Sequence, residues 1–534
     1  MTTRPSQPME AAIAELMEST PAWPVPVRLG ATARALARAL AALTILSVAG
    51  FMLLVLIGLW DRHEQQTAAW FGGLYASAVG VLGGAQSRPA TDPGLGRKQL
   101  PAALLFPPAQ KLGGAAIAAS TYQGMSVALS ADGRTAVVGA PGPNAADRDR
   151  AASVGPAGAA WVFARAGAVW RREAKLVGST SAQGGGLWSQ GMSVALSADG
   201  TTAVVGGPSD DMGNGAAWIF TRGTGPWRQQ GEKLVGSGPH SPADAASSPG
   251  RGLSVALSAD GNTALVGGWR TEGAWVFTRS GDVWTQQGRK LVGSGAAGSA
   301  RQGISVALSA DGNTAILGGS SDNGNTGAAW IFVRSGEAWA QQGRKLVGSG
   351  AVGGARQGTS VALSADGNIA LLGGPGDNPW DGSVPFGLGA AGAAWVFARH
   401  GSSWEQQGSK LVGGSGAARI ARRGTAVALS ADGKVALLGG VAGDRGNAAA
   451  VLFTRSGVDW TQERKLTALG GMGSSASAVA LSADGGIALI GDADDDGGIG
   501  AAWVPERGNG GSDEQTPPMP SVSRNLNIPM RVER

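Results

Sequence analysis

Asp492, Asp494 and Asp496 stand at alternate positions before Gly497. Carboxylates spaced this way around a tight turn can aim oxygens at one point, and calcium collects about six to eight of them. The spacing marks a candidate calcium loop with these three aspartates as metal ligands. Gly500 and Trp503 stand where further side-chain ligands would be, so backbone carbonyls and water have to complete the cage. Comparable stretches hold fewer carboxylates: Asp210 and Asp211 with Asn214, Asp322 and Asn323 with Asn325, Asp377 and Asn378 with Asp381.

Other reactive groups are scarce. His63, His240 and His400 fall in unrelated segments, and there is no cysteine. Thiolate nucleophiles, disulfides and cysteine-ligated zinc are thereby excluded. No nucleophile elbow, phosphate-binding loop or nucleotide fingerprint occurs. With 90 glycines in the chain, isolated G-x-G matches carry no information. No catalytic residue is assigned, and the chain reads as non-enzymatic. The net charge of +5 comes without a cluster of Lys and Arg among aromatics, so nucleic acid is not an expected partner. Irregular stretches at 141–157, 237–251 and 375–390 depart from the rest of the chain. Trp188 and Trp380, both outside the regular tryptophan positions described next, are the candidate ligand-binding residues.

The elements that would position these residues are repeats. The phrase SVALSADG or a close variant recurs seven times, its aspartates at 132, 199, 260, 311, 366, 432 and 484. A unit of this length cannot bury its own apolar faces and must stack on neighbours. In the fourth copy, GISVALSA alternates as a strand, and ADGN is a hairpin turn with the Asp-Gly pair such turns favour. TAILGG returns, GAAWIFVR is a third strand and WAQQGRKLVG a fourth. Four antiparallel strands repeated seven times predict an all-β, seven-bladed β-propeller of four-stranded blades. Trp161, Trp218, Trp275, Trp330, Trp395 and Trp503 recur on the third strand, and Trp170, Trp227, Trp284, Trp339, Trp404 and Trp460 open the fourth. Rings at fixed blade positions read as core between blades. The SADG aspartates read as turn residues. The Lys–Leu pair that ends the fourth strand appears once before the first SVALSADG, at Lys111 and Leu112, and the last repeat lacks it. Leu104 to Leu112 should therefore complete the last blade, with Leu105 or Phe106 in the tryptophan role, and close the ring.

The stretch QGMSVALSADGRTAVVGAPG resembles the FG-GAP repeat, with Gly139, Ala140 and Pro141 as the GAP element. Gly124, Gly191, Gly252, Gly303, Gly358 and Gly424 match the leading glycine. The aromatic before that glycine is replaced by Gln, Arg or Ser, and Ala476 stands in the seventh copy. The resemblance, to bacterial FG-GAP-like proteins and more distantly to the integrin α-chain head, implies an exported propeller used for binding or adhesion. Calcium in a loop between strands is a property of that family.

Residues 39–60 are apolar and uncharged, follow Arg28, Arg34 and Arg38, and are long enough to cross a bilayer of about 30 Å. They read as a transmembrane anchor, with a cleaved signal as the rival. Residues 65–87 are also uncharged but rich in Gly and Ala, and a second span there would return the propeller to the cytoplasm. The expected organisation is a cytoplasmic segment at 1–38, the anchor or signal at 39–60, a juxtamembrane segment and linker at 61–103, the propeller at 104–507 and a disordered tail at 508–534. The expected location is a bacterial inner membrane, single-pass, with the propeller in the periplasm or outside the cell. The expected function is extracytoplasmic binding or adhesion toward a protein or glycan ligand. A polysaccharide-acting propeller enzyme and a structural component of an envelope complex are the alternatives.

Overall fold

The structure, a computed structural model, describes residues 110–113, 121–142, 158–179, 189–237, 250–268, 272–378, 390–412, 420–442, 448–467 and 476–505. These residues form seven antiparallel sheets arranged as the repeats predict. Blade 4 shows the pattern. Ser305–Leu308 pairs with Thr314–Gly319, which pairs with Ala328–Ser335, which pairs with Ala338–Gln341. Successive first strands pack against one another all the way round, the last (Ala476–Leu481) against the first (Ser126–Leu129), so the first strands surround the axis. Blade 6 is the irregular one: Ile420–Ala421 and Val427–Leu429 both pair with Val435–Ala442, so its first strand is broken.

The ring closes as the stray Lys–Leu pair requires. Gln110–Leu112 pairs antiparallel with Ala501–Val504 and supplies the fourth strand of blade 7. Leu105 and Phe106 lie outside the described residues. The expected transmembrane helix at 39–60, the second apolar stretch at 65–87 and the tail at 508–534 also lie outside them. Among the described residues no helix is long and apolar enough to cross a membrane.

The second and third strands are buried on both faces, which is why TAILGG and AAWIF contain almost nothing but apolar and small residues. Trp218, Trp330 and Trp395 are wholly buried and Trp275 nearly so, each in the cluster between two blades. Burying an aromatic ring of this size contributes roughly 2–3 kcal/mol. The seam also explains the phrase VGS. The indole Nε1–H of Trp330 donates to the Ser294 carbonyl of the preceding blade at 2.8 Å, and Trp395 does the same to Ser349 at 2.8 Å. The glycine before each serine lies against the ring: a Cβ on Gly348 would sit 2.1 Å from Trp395. The fourth-strand tryptophans complete the outer seam, with Trp284, Trp339 and Trp404 donating to Gln230, Gln287 and Gln342 of the preceding blade.

Candidate functional site

Antiparallel order puts the first-to-second and third-to-fourth turns on one face of the ring. The second-to-third loops and the connections between blades lie on the other. We call these the hairpin face and the junction face.

On the hairpin face every SADG turn is built alike. In blade 4 the Ser309 hydroxyl donates to Asp311 Oδ1 and accepts the Thr314 amide at 2.9 Å, and Asp311 Oδ1 also accepts the Asn313 amide at 2.9 Å. Burial alone would raise the Asp311 pKa. The hydrogen bonds from Ser309 and Asn313 outweigh it, with help from the Arg334 charge, and hold the carboxyl below its ordinary value. Asp132, Asp199, Asp260, Asp366 and Asp432 are lowered in the same way. Beside each aspartate, the alanine amide donates to the carbonyl of the same alanine in the next blade. Ala131 bonds to Ala198, and the series runs through Ala259, Ala310, Ala365, Ala431 and Ala483 back to Ala131, at 2.8–2.9 Å. Seven backbones at a strand spacing of about 4.8 Å make a ring roughly 11 Å across between opposite α-carbons, too narrow for a folded segment to enter.

The junction face uses a different device. In blade 4, Asp322 is 1% exposed; its Oδ2 accepts from Lys345 Nζ at 2.6 Å and its Oδ1 from the Ala297 amide at 2.7 Å. One carboxylate thus fastens the second-to-third loop to the fourth strand and to the connection from the preceding blade. Asp377 repeats this with Lys410 and the Val352 amide. Asp210 pairs with Lys233, and Asp495 with Lys111. Blade 3 has no such aspartate; Glu272 instead accepts from the Ser299 hydroxyl and from the Arg301 and Gln302 amides.

The aspartates of the candidate calcium loop fall on this frame. Asp492 ends the second strand of blade 7, where blades 2 to 5 have glycine, and is wholly buried. Asp494 and Asp496 are exposed, and Asp496 has a left-handed backbone with φ of 51°. The carboxylate that matches Asp322 is Asp495, which the D-x-D-x-D-G pattern passes over. Lys111 Nζ lies 2.7 Å from Asp495 and 2.6 Å from Asp496, where a cation would otherwise sit. Burial alone would lower the Lys111 pKa, but its hydrogen bonds to the two carboxylates raise it above the ordinary value. Among the described residues no three His, Asp or Glu side chains are grouped to hold a metal. Trp188 and Trp380 lie outside the described residues; their described neighbours Ser189 and Asn378 are on the junction face.

Sequence reasoning left the residue before each leading glycine unexplained. The structure gives it a task. The Gln357 side chain bonds to both the amide and the carbonyl of Gly348, at 2.5 and 2.9 Å, and Gln190 and Gln302 hold Gly178 and Gly293 in the same way. In blade 3, Arg251 replaces the glutamine and stacks on Trp275 at 4.9 Å. The leading glycine itself is required: Gly303 has φ of 85°, and a Cβ there would meet the Gly273 carbonyl at 2.2 Å.

No family model matches the chain, and no curated protein matches it. Among solved structures it is similar to the periplasmic gluconolactonase of Pseudomonas aeruginosa, at 14% identity over 64% of this chain and 84% of that one, with a TM-score of 0.42. It is similar to the hydrazine synthase of Kuenenia stuttgartiensis at 13% identity, covering 70% and 93%, TM-score 0.43. It is also similar to the WD40 repeats of RRP9 at 10% identity, covering 75% and 100%, TM-score 0.43. These likenesses are to gluconolactonase-type and WD40-type propellers and give the FG-GAP resemblance no specific support. They correct the expectation of a non-enzymatic chain: solved propellers similar to it include enzymes, and a propeller scaffold gives no ground for setting activity aside.

Proposed function

We propose that the chain is a ligand-binding propeller that takes a protein or glycan on its junction face. The observation that carries this is the difference between the faces. On the hairpin face the repeated Ser and Asp side chains are spent on one turn, copied in every blade. The described strand ends that flank the irregular stretches 141–157, 237–251 and 375–390 are on the junction face. Binding residues concentrate on variable loops held by a rigid scaffold, and Trp188 and Trp380, close in sequence to Ser189 and Asn378 of this face, are the proposed contacts. The uncharged run 39–60 after three arginines supports delivery of the propeller across a membrane.

The test is a glycan array and a surface-protein display probed with the full chain. Two variants accompany it: one with 375–390 replaced by the shorter loop of blade 4, and one with Arg134→Gln and Lys434→Gln on the hairpin face. Binding lost in the first and kept in the second is the expected result. Binding that survives the loop replacement and disappears in the hairpin-face variant would overturn the proposal.

A further inference from the structure

The same four-residue turn leads into the first strand of several blades. The amide of its last residue donates to the carbonyl of its first: Met125 to Tyr122, Met192 to Ser189, Ile304 to Arg301, Thr359 to Arg356 and Thr425 to Arg422, at 3.0–3.2 Å. Because the first strands surround the axis, these turns ring the mouth of the channel on the junction face. The first residue of each is left-handed, with φ of 53° at Tyr122, 68° at Ser189, 57° at Arg301, 56° at Arg356 and 52° at Arg422. Gly250 takes the same place in blade 3 with φ of 62°, at no steric cost.

The ring has two unlike halves. The first position is Tyr122, Ser189 and Gly250 in blades 1 to 3, and Arg301, Arg356 and Arg422, all exposed, in blades 4 to 6. The last position is Met125, Met192, Leu253 and Ile304 in blades 1 to 4, then Thr359 and Thr425, all half-buried. Both threonine hydroxyls donate back to the carbonyl of their arginine at 2.7 Å, which stiffens the turn beneath the guanidinium. The described carboxylates nearby are engaged: Asp322 and Asp377 by Lys345 and Lys410, and Glu272 by two amides and a hydroxyl. Among the described residues the guanidinium groups of Arg356 and Arg422 have no ion-pair partner. Side chains kept in an unfavourable backbone region on consecutive blades, where glycine would relax it, point to a use for those side chains.

We infer that this mouth binds an amphiphilic anion, with a phosphate or carboxylate on Arg356 and Arg422 of blades 5 and 6 and an apolar part toward the Met, Leu and Ile side of blades 1 to 4. The inference rests on the junction face being the binding face and names the chemistry it selects. Guanidinium groups suit oxyanions through paired, charge-assisted hydrogen bonds.

Calorimetry on the full chain with phenyl phosphate, phenylacetate, inorganic phosphate and benzyl alcohol tests it. Both aryl anions bind, phosphate alone binds more weakly, and the alcohol gives no heat of binding. Arg356→Gln with Arg422→Gln weakens the aryl anions about a hundredfold, roughly tenfold for each charge-assisted contact removed. Arg134→Gln with Lys434→Gln leaves their affinity within about twofold, since those groups are on the other face. Circular dichroism confirms that each variant is folded. Absence of aryl-anion binding, equal binding of the alcohol, or unchanged affinity in the double arginine variant overturns the inference. A chain that still binds its glycan or protein through 375–390 while ignoring every aryl anion leaves the proposed function standing and removes only this one.

Discussion

The hairpin face and the junction face are built from the same repeats and have opposite habits. On the first, one solution is copied seven times: a serine, an aspartate and a glycine close a turn, and an alanine links it to the next blade. On the second, the blades differ. Four use a buried aspartate clasped by lysine, one uses Glu272, and three have long irregular connections. Repetition therefore marks what the ring needs in order to stand, and departures from it mark where selection for a ligand could act.

The comparison can be broken most forcefully at a clasp. Lys345→Met leaves Asp322, 1% exposed, without its cation, and should cost about 3 kcal/mol in urea unfolding, at the low end for a buried pair because the lysine is 23% exposed. A loss below about 1 kcal/mol would mean that the junction face does not depend on its clasps. Ser309→Ala on the hairpin face strands the buried Thr314 amide and should cost about 2 kcal/mol. Ser258→Ala should cost the same to within about 0.5 kcal/mol, because the two turns are alike; a clear difference would deny that the face is uniform.

Acid gives a smaller effect. The hairpin aspartates have lowered pKa values when folded, so the stability they add is complete above the ordinary aspartate pKa and is lost as pH falls through the folded values. The stability difference between the parent and Asp311→Asn should be constant at neutral pH and shrink below about pH 4. A difference that grows with acid would reverse the sign. The smallest effect belongs to Arg356→Gly, which relaxes a left-handed residue and should raise stability by about 0.5 kcal/mol net of the extra freedom of the unfolded chain. Its thermal midpoint should rise slightly while aryl-anion binding falls, the pattern that separates a functional strain from a structural one.

The blades were legible because strand alternation, Asp-Gly turns and the Lys–Leu ending recur in register, and the unmatched pair at Lys111 and Leu112 gave away the closure. The candidate site was far less legible. Alternate aspartates at 492, 494 and 496 matched a spacing rule, but the repeat places Asp492 inside a strand and makes Asp495 the partner of Lys111. Lys111 and Asp495 stand at opposite ends of the propeller sequence, and a local pattern cannot register that contact. The glutamine clamp was hidden for another reason: Gln357 and Gly348 are only nine residues apart, but they bond across an irregular connection that has no strand or helix period to mark it. The arginines at 301, 356 and 422 looked like scattered charges until their shared left-handed backbone placed them in one ring.

The borrowed strand also has a meaning in time. Gln110–Leu112 is synthesised before any other strand of the ring, yet its partner Ala501–Val504 is the last to be made. Until then blade 1 has no neighbour on one side, and the alanine circuit lacks its final link between Ala483 and Ala131. A chain halted anywhere along the way presents two raw sheet edges, the kind of surface that invites mispairing. The finished ring presents neither, so no part of the propeller is shielded at both edges until its last strand has been made and paired with its first.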